Sequence, residues 1–135
     1  MMRTKRMMRL GMAAVLACGL MATAPAAMAQ GSGGGDGVEA RGACSGHADW
    51  RLRVRPEDGG KIEVEFEVEH ARVGSTWNVR LTDNGTVFFR GVRTANSLGE
   101  FEVKRLTNNR SGSDHVVGRA VNQTSGQVCR GSATL

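Results

Sequence analysis

From Val38 onward, apolar and polar positions alternate with a period of two, broken by turn residues every eight to twelve positions. That period puts successive side chains on opposite faces of an extended strand, so each segment has one face to bury and one to leave in water. No segment holds the stripe of an amphipathic helix. Short strands repeated in this way build a sandwich or a barrel, and seven strands in about 90 residues match one sandwich domain.

The clearest hairpin comes early. A short first segment closes at Cys44. Trp50, Leu52 and Val54 then alternate with Arg51, Arg53 and Arg55, and Ile62, Val64, Phe66 and Val68 alternate with Glu63, Glu65, Glu67 and Glu69. Pro56-Glu57-Asp58-Gly59-Gly60 between them reads as the turn. A five-residue turn sets Arg55 opposite Lys61, Val54 opposite Ile62, Leu52 opposite Val64 and Trp50 opposite Phe66. On the other face it brings Arg53 to Glu63 and Arg51 to Glu65.

A third strand carries Trp77, Val79 and Leu81, and Asp83-Asn84-Gly85 follows as a three-residue turn. The fourth strand covers residues 87–92, and Phe101, Val103 and Leu106 mark the fifth. The sixth covers residues 116–121, and the seventh residues 127–135 with Cys129. Val116-x-Gly118-x-Ala120-Val121-Asn122, with Gly126 beyond it, resembles the penultimate strand and turn of fibronectin type III domains. Trp77 resembles the core tryptophan of immunoglobulin domains. Residues 38–135 are similar in layout to small secreted bacterial proteins with an immunoglobulin-like fold. The resemblance implies an all-β chain, a single immunoglobulin-like antiparallel β-sandwich of about seven strands; it implies architecture and carries nothing about activity. The chain has no tyrosine for the tyrosine corner of such domains, and Asp114 stands about where it would be expected.

The residues before Val38 follow another pattern. Arg3, Lys5, Arg6 and Arg9 precede an apolar run over residues 10–22, and Ala27-Met28-Ala29 has the small-x-small form cut by a signal peptidase. Residues 1–29 are therefore expected to be a signal peptide and residues 30–37 (QGSGGGDG) a flexible tether. The tether lacks the Lys-Ser/Thr and flanking strand and helix of a phosphate loop. Cleavage at Gln30 delivers a secreted chain; the alternative is a lipid anchor on Cys18, whose Val15-Leu16-Ala17 approach loosely resembles a lipobox. Only in that case is a membrane expected as a partner.

Cleavage changes the charge picture. The signal takes four of the 18 basic residues and none of the 13 acidic ones, so the mature chain carries a net charge of +1 and nucleic acid is not an expected partner. It also leaves Cys44 and Cys129 as the two cysteines of an exported chain, where one intramolecular bridge is the simplest outcome. That bridge is expected to tie the first segment to the last strand rather than to bridge the two sheets in the manner of antibody domains.

Little in the chain points to catalysis. The glutamate row of Glu63, Glu65, Glu67 and Glu69 is expected to be a solvated face with cross-strand ion pairs, because same-face residues about 7 Å apart do not converge on a metal ion. His47-x-Asp49 has no second ligand pair in support, and His47, His70 and His115 are expected in loops or on the surface. Ser45, Ser75, Ser97 and Ser111 lie outside any Gly-x-Ser-x-Gly elbow. No catalytic residue, cofactor or metal is expected. Asn84, Asn109 and Asn122 open glycosylation-type triplets, a pattern common by chance.

Phe88-Phe89 is different, because neighbours on a strand point to opposite faces. With a three-residue turn, Val87 and Phe89 lie beside Leu81 and Val79, Phe88 projects outward between Thr86 and Arg90, and Phe88 and Arg90 are the expected partner contacts. The expectation is a monomeric, non-catalytic module that binds an extracellular protein or cell-wall component. Alternatives are an inhibitor presenting Ala95-Asn96-Ser97-Leu98-Gly99 or residues 107–113 as a rigid loop, and, more remotely, a small hydrolase.

Overall fold

The structure is a computed structural model that describes residues 37–135. The expected signal peptide, residues 30–36 of the tether and Cys18 lie outside the described residues. Among the described residues eight strands are present: β1 Val38–Ala43, β2 Asp49–Glu57, β3 Lys61–Glu69, β4 Thr76–Asp83, β5 Thr86–Thr94, β6 Phe101–Asn108, β7 His115–Asn122 and β8 Val128–Thr134. All pairings are antiparallel, in one sheet of order β1-β2-β3-β6 (sheet A) and one of order β5-β4-β7-β8 (sheet B). The chain crosses between sheets after β3, β5 and β6, and β4–β5 and β7–β8 are hairpins within sheet B. The eighth strand is β1, the segment before Cys44. Its alternation is weak because its inward positions are Val38, Ala40 and Gly42, yet it pairs along its whole length with β2.

Inward residues of both sheets make one core. Leu52, Val54, Ile62, Val64, Phe66, Val68, Trp77, Leu81, Val103, Val116 and Ala120 are fully buried. Trp77 packs at a tilt on Phe101, ring centroids 5.7 Å apart, and its indole N–H donates to Ser75 Oγ at 2.8 Å. Among the described residues no helix is long and apolar enough to cross a membrane.

The sheets are tied at both long edges. On one, β1 and β2 lie against β8, and Cys44 is bonded to Cys129. Cys44 follows β1 of sheet A and Cys129 belongs to β8 of sheet B, so the bridge ties the first segment to the last strand, as expected, and by doing so staples the two sheets together at their edge. At the other edge Phe89 of β5 lies under the guanidinium of Arg105 from β6, 4.6 Å from the ring centroid, with that of Arg93 5.2 Å away.

Two hairpin registers differ from expectation. In β2–β3 the loop is Asp58-Gly59-Gly60, with φ of 73° and 68° at the glycines, so Pro56 and Glu57 remain in the strand and Glu57 faces Lys61. Val54 therefore pairs with Val64, Leu52 with Phe66, Arg53 with Glu65 and Arg51 with Glu67. The shift is even, so every side chain keeps its expected face. Pro56 lies beyond Val38↔Val54, the last pairing of β1, an edge position that tolerates a missing N–H. In β4–β5 the turn is Asn84-Gly85 alone, and a bulge follows in which Leu81 pairs with Phe89 but Thr82 with Val87. Phe88 is the extra residue. Leu106, one of the three residues that mark this strand in the sequence, is 60% exposed, because Phe101 and Val103 fix the inward parity of β6 and position 106 falls outside it.

Candidate functional site

The two outer faces of the sandwich differ in how their charges are satisfied. On sheet A, Arg51 pairs with Glu67 and Arg55 with Glu63. Arg53 donates to Glu39 at 2.8 Å and approaches Glu65 at 3.7 Å, and Lys104 lies 3.6 Å from Glu65 and 3.9 Å from Glu102. The glutamate row expected to be solvated is instead half-buried beneath these cations, with Glu65 only 8% exposed. Carboxylate oxygens of Glu65, Glu67 and Glu102 lie within 4.8 Å of one another, but each of these residues already has an arginine or lysine beside it. The face is a closed lattice of ion pairs.

Sheet B carries the opposite arrangement. Its strand order sets Arg90 of β5 opposite Arg80 of β4, Arg80 opposite Arg119 of β7, and Arg119 opposite Arg130 of β8. Four arginines thus form one straight row across all four strands. The neighbouring rows are Val92, Asn78, Val121 and Val128 on one side and Val87, Thr82, Val117 and Ser132 on the other. Neither contains a carboxylate. Among the described residues none of the four arginines forms an ion pair; the bridges of the fold involve other cations. Arg80, Arg90 and Arg130 are exposed and Arg119 is half-exposed. A shallow groove of about 630 Å³ runs beside the row, lined by Arg80, Arg90 and Arg119 with Asn78, Val92 and Val121. A second of about 300 Å³ on the other flank is lined by Arg80, Arg119 and Arg130.

This row was missed in sequence, although Arg90 was singled out. The arginines are isolated in the chain, and a near-neutral total hides a face with four positive charges and no negative one. Only the order β5-β4-β7-β8 aligns them. Arg90 lies in the row as an exposed residue, whereas Phe88 does not stand clear of the core: the bulge leaves both Phe88 and Phe89 half-buried and packed against it.

The imidazoles are scattered. Asp49, read as a companion of His47, instead meets His70, whose Nδ1 lies 2.9 Å from Asp49 Oδ2 in an exposed pair. His47 and His70 share a depression with Ser45 and Ser125, but Ser45 Oγ is engaged with the backbone of Val128 and Ser125 Oγ accepts from Gln127 N. His115 Nδ1 lies 2.9 Å from Thr134 Oγ1. A triad needs a nucleophile hydrogen-bonded to its base, and no serine makes such a contact with these imidazoles among the described residues.

One buried polar cluster lies at the end of sheet B. Asp83 and Asp114 are 0% and 1% exposed, and both carboxylate oxygens of Asp83 lack a hydrogen-bond donor, the nearest cation being Arg110 at 3.6 Å. Burial, followed by the neighbouring Asp114 carboxyl, raises the Asp83 pKa above its ordinary value, and Arg110 and His115 act against the rise.

Compared with protein-family models, curated proteins and solved structures, the chain matches none.

Proposed function

We propose that the protein is a secreted, non-catalytic binding module that holds an anionic partner against the outer face of sheet B. The observation that carries this is the row Arg90-Arg80-Arg119-Arg130, unneutralised beside a sheet A face on which arginines and lysine are paired with carboxylates. Like charges directly opposite each other on neighbouring strands destabilise a sheet, and nothing within the described residues offsets the cost. A bound anion would offset it. Guanidinium groups suit the task, because their planar donors match carboxylate and phosphate oxygens in pairs. Export is supported by the basic and apolar pattern of residues 1–29 and by the Cys44–Cys129 bridge, which belongs to an oxidising compartment. The immunoglobulin-like assignment is supported by the two-sheet order and its three crossings.

Retention on phosphocellulose tests the proposal. The purified mature chain should elute at clearly higher salt than Arg80→Gln/Arg119→Gln, while Arg41→Gln/Arg72→Gln, with the same change in net charge on other surfaces, should elute near the wild type. Equal shifts in both double variants would reduce the effect to net charge and overturn the proposal.

One observation favours inhibition of an extracellular enzyme as a second reading. Asn96 Oδ1 accepts from the backbone N–H of Leu98 and Glu100 at 2.9 and 3.0 Å, and Gly99 N donates to Asn96 O at 3.0 Å, so the loop is held from within. At its tip Leu98 is 72% exposed. Stoichiometric inhibition of a secreted protease that is lost in Leu98→Asp would support it, and inhibition unchanged by that substitution would reject it.

A further inference from the structure

The shape of the arginine row restricts what kind of anion it fits. Resting on the proposal that sheet B binds an anionic partner, we infer that the ligand is an unbranched polyanion, a chain with repeated phosphate or carboxylate groups, laid across the strands along Arg90, Arg80, Arg119 and Arg130. Neighbouring strands are about 4.8 Å apart, so the row is straight and spans roughly 14 Å between its outer members. A compact anion reaches one or two guanidinium groups and leaves the others uncompensated. A linear chain can meet all four at once. The grooves of about 630 and 300 Å³ run along opposite flanks of the row, so a chain lying over the guanidinium groups has a shallow channel on each side rather than an enclosing pocket.

The flanking rows say how the chain is held. They consist of Val92, Asn78, Val121 and Val128 on one side and Val87, Thr82, Val117 and Ser132 on the other, small aliphatic, amide and hydroxyl side chains with no aromatic ring. Proteins that take single-stranded nucleic acid stack the bases on exposed aromatic residues. Here Phe88 and Phe89 are packed against the core instead. The face therefore reads the charge of a chain and its spacing, with the hydroxyls of Thr82 and Ser132 and the amide nitrogen of Asn78, whose Oδ1 accepts from Gln123 Nε2 at 2.9 Å, placed to hydrogen-bond its backbone, and offers no platform for bases. That chemistry fits an anionic polymer of the cell envelope or its surroundings, either phosphate-bearing or uronate-bearing.

The test is calorimetric or fluorescence titration of the mature chain with linear polyphosphates of graded length, linear oligogalacturonates of graded length, inorganic phosphate, and a single-stranded oligodeoxynucleotide of matched charge. Affinity should rise steeply until the chain spans roughly 14 Å and then level, with inorganic phosphate at least tenfold weaker than the spanning chain. The logarithm of the binding constant should fall with the logarithm of salt at a slope of roughly −3, and Arg80→Gln/Arg119→Gln should remove about half of that slope. The phosphate and uronate arms decide which anionic group the face prefers. Binding that depends on the row but is as tight for inorganic phosphate as for long chains would overturn the linear-chain inference and leave the anion-binding face standing. Binding unaffected by the double variant would overturn both. Clear preference for the oligodeoxynucleotide over polyphosphate would overturn the inference in favour of nucleic acid.

Discussion

Gly131 in β8 lies directly against the indole of Trp50 in β2, so close that a Cβ at residue 131 would come within 2.3 Å of ring atoms Cε3 and Cζ3. Gly42 of β1 approaches the same ring, where an added Cβ would lie 2.6 Å from Cζ2. The half-buried indole thus fills the edge where sheet A meets β8, beside the disulfide, and the two glycines make room for it. Gly131→Ala should cost about 1–3 kcal/mol through overpacking, read as a lower denaturant midpoint. Trp50→Val in the same chain should remove the clash, so the two losses should be far from additive. Simple additivity would show that position 131 needs glycine for another reason.

The Asn84-Gly85 turn should be almost as sensitive. Both residues have positive φ, 47° and 83°, as a two-residue hairpin turn of this type requires. Asn84 also accepts from His115 N at 2.9 Å and donates through Nδ2 to Ser113 O at 3.1 Å, tying the turn to the loop before β7. Asn84→Ala loses both bonds and adds backbone strain, for an expected cost of about 1–3 kcal/mol in thermal or chemical unfolding. Asn84→Gly should cost less, because it relieves the strain while losing the same bonds.

The alternation of Ile62 to Glu69 made β3 and its inward face readable, and the Trp77-Val79-Leu81 series did the same for β4. Two-residue parity survives an error of two in register, which is why the shorter Asp58-Gly59-Gly60 loop left the β2–β3 faces correct. It does not survive an odd insertion. The bulge at Phe88 was invisible because it depends on Leu81 and Thr82 taking partners in different phase, a property of the paired strands rather than of either alone. The arginine row was illegible for a related reason: Arg80, Arg90, Arg119 and Arg130 become neighbours only once β7 is known to lie beside β4. Gly118, part of the fibronectin-like pattern, has a physical reason in the structure, since a Cβ there would lie 2.6 Å from Cδ2 of Phe66.

The disulfide should be worth more than an edge ornament. It closes a separation of 85 residues and joins the two sheets. Loop entropy alone sets an upper contribution of roughly 4–5 kcal/mol. Cys44→Ala/Cys129→Ala should melt well below the wild type while keeping a β-rich circular dichroism spectrum, because the apolar faces of the sheets and not the bridge specify the fold. Loss of the spectrum at low temperature would show that the bridge is needed for folding itself.

Asp83 should make stability fall as pH rises. Its pKa is raised from an ordinary 3.8 by burial first and the Asp114 carboxyl second, so between the two values the folded chain binds the proton more tightly than the unfolded chain. The stabilisation is present at the acid end and is lost as pH rises through the raised value. Asp83→Asn keeps a neutral donor beside Asp114 at all pH. The stability advantage of the variant over wild type should therefore grow from acid toward neutral pH, measured as the difference between their melting temperatures. A difference that does not change with pH would mean that Asp83 binds its proton equally well in the folded and unfolded chains.

The arginine row sets function against stability, and that opposition gives the most direct check on why it exists. Arg80 and Arg119 belong between them to all three directly opposed pairs, Arg80 with Arg90, Arg80 with Arg119, and Arg119 with Arg130. Each such pair destabilises a sheet by about 0.2–1 kcal/mol. Arg80→Gln/Arg119→Gln keeps most of the side-chain length and removes the repulsion, so the variant should be more stable than wild type by roughly 0.5–2 kcal/mol at low ionic strength. Added salt should shrink the difference, since these exposed charges are screened over about 10 Å at moderate salt. A bound polyanion should shrink or reverse it from the other side, because a ligand of the folded state raises the melting temperature of the wild type and not of a variant that cannot hold it. A variant less stable than wild type at low salt without ligand would show that the four guanidinium groups support the sheet rather than burden it. The case for a binding row would then lose its physical basis.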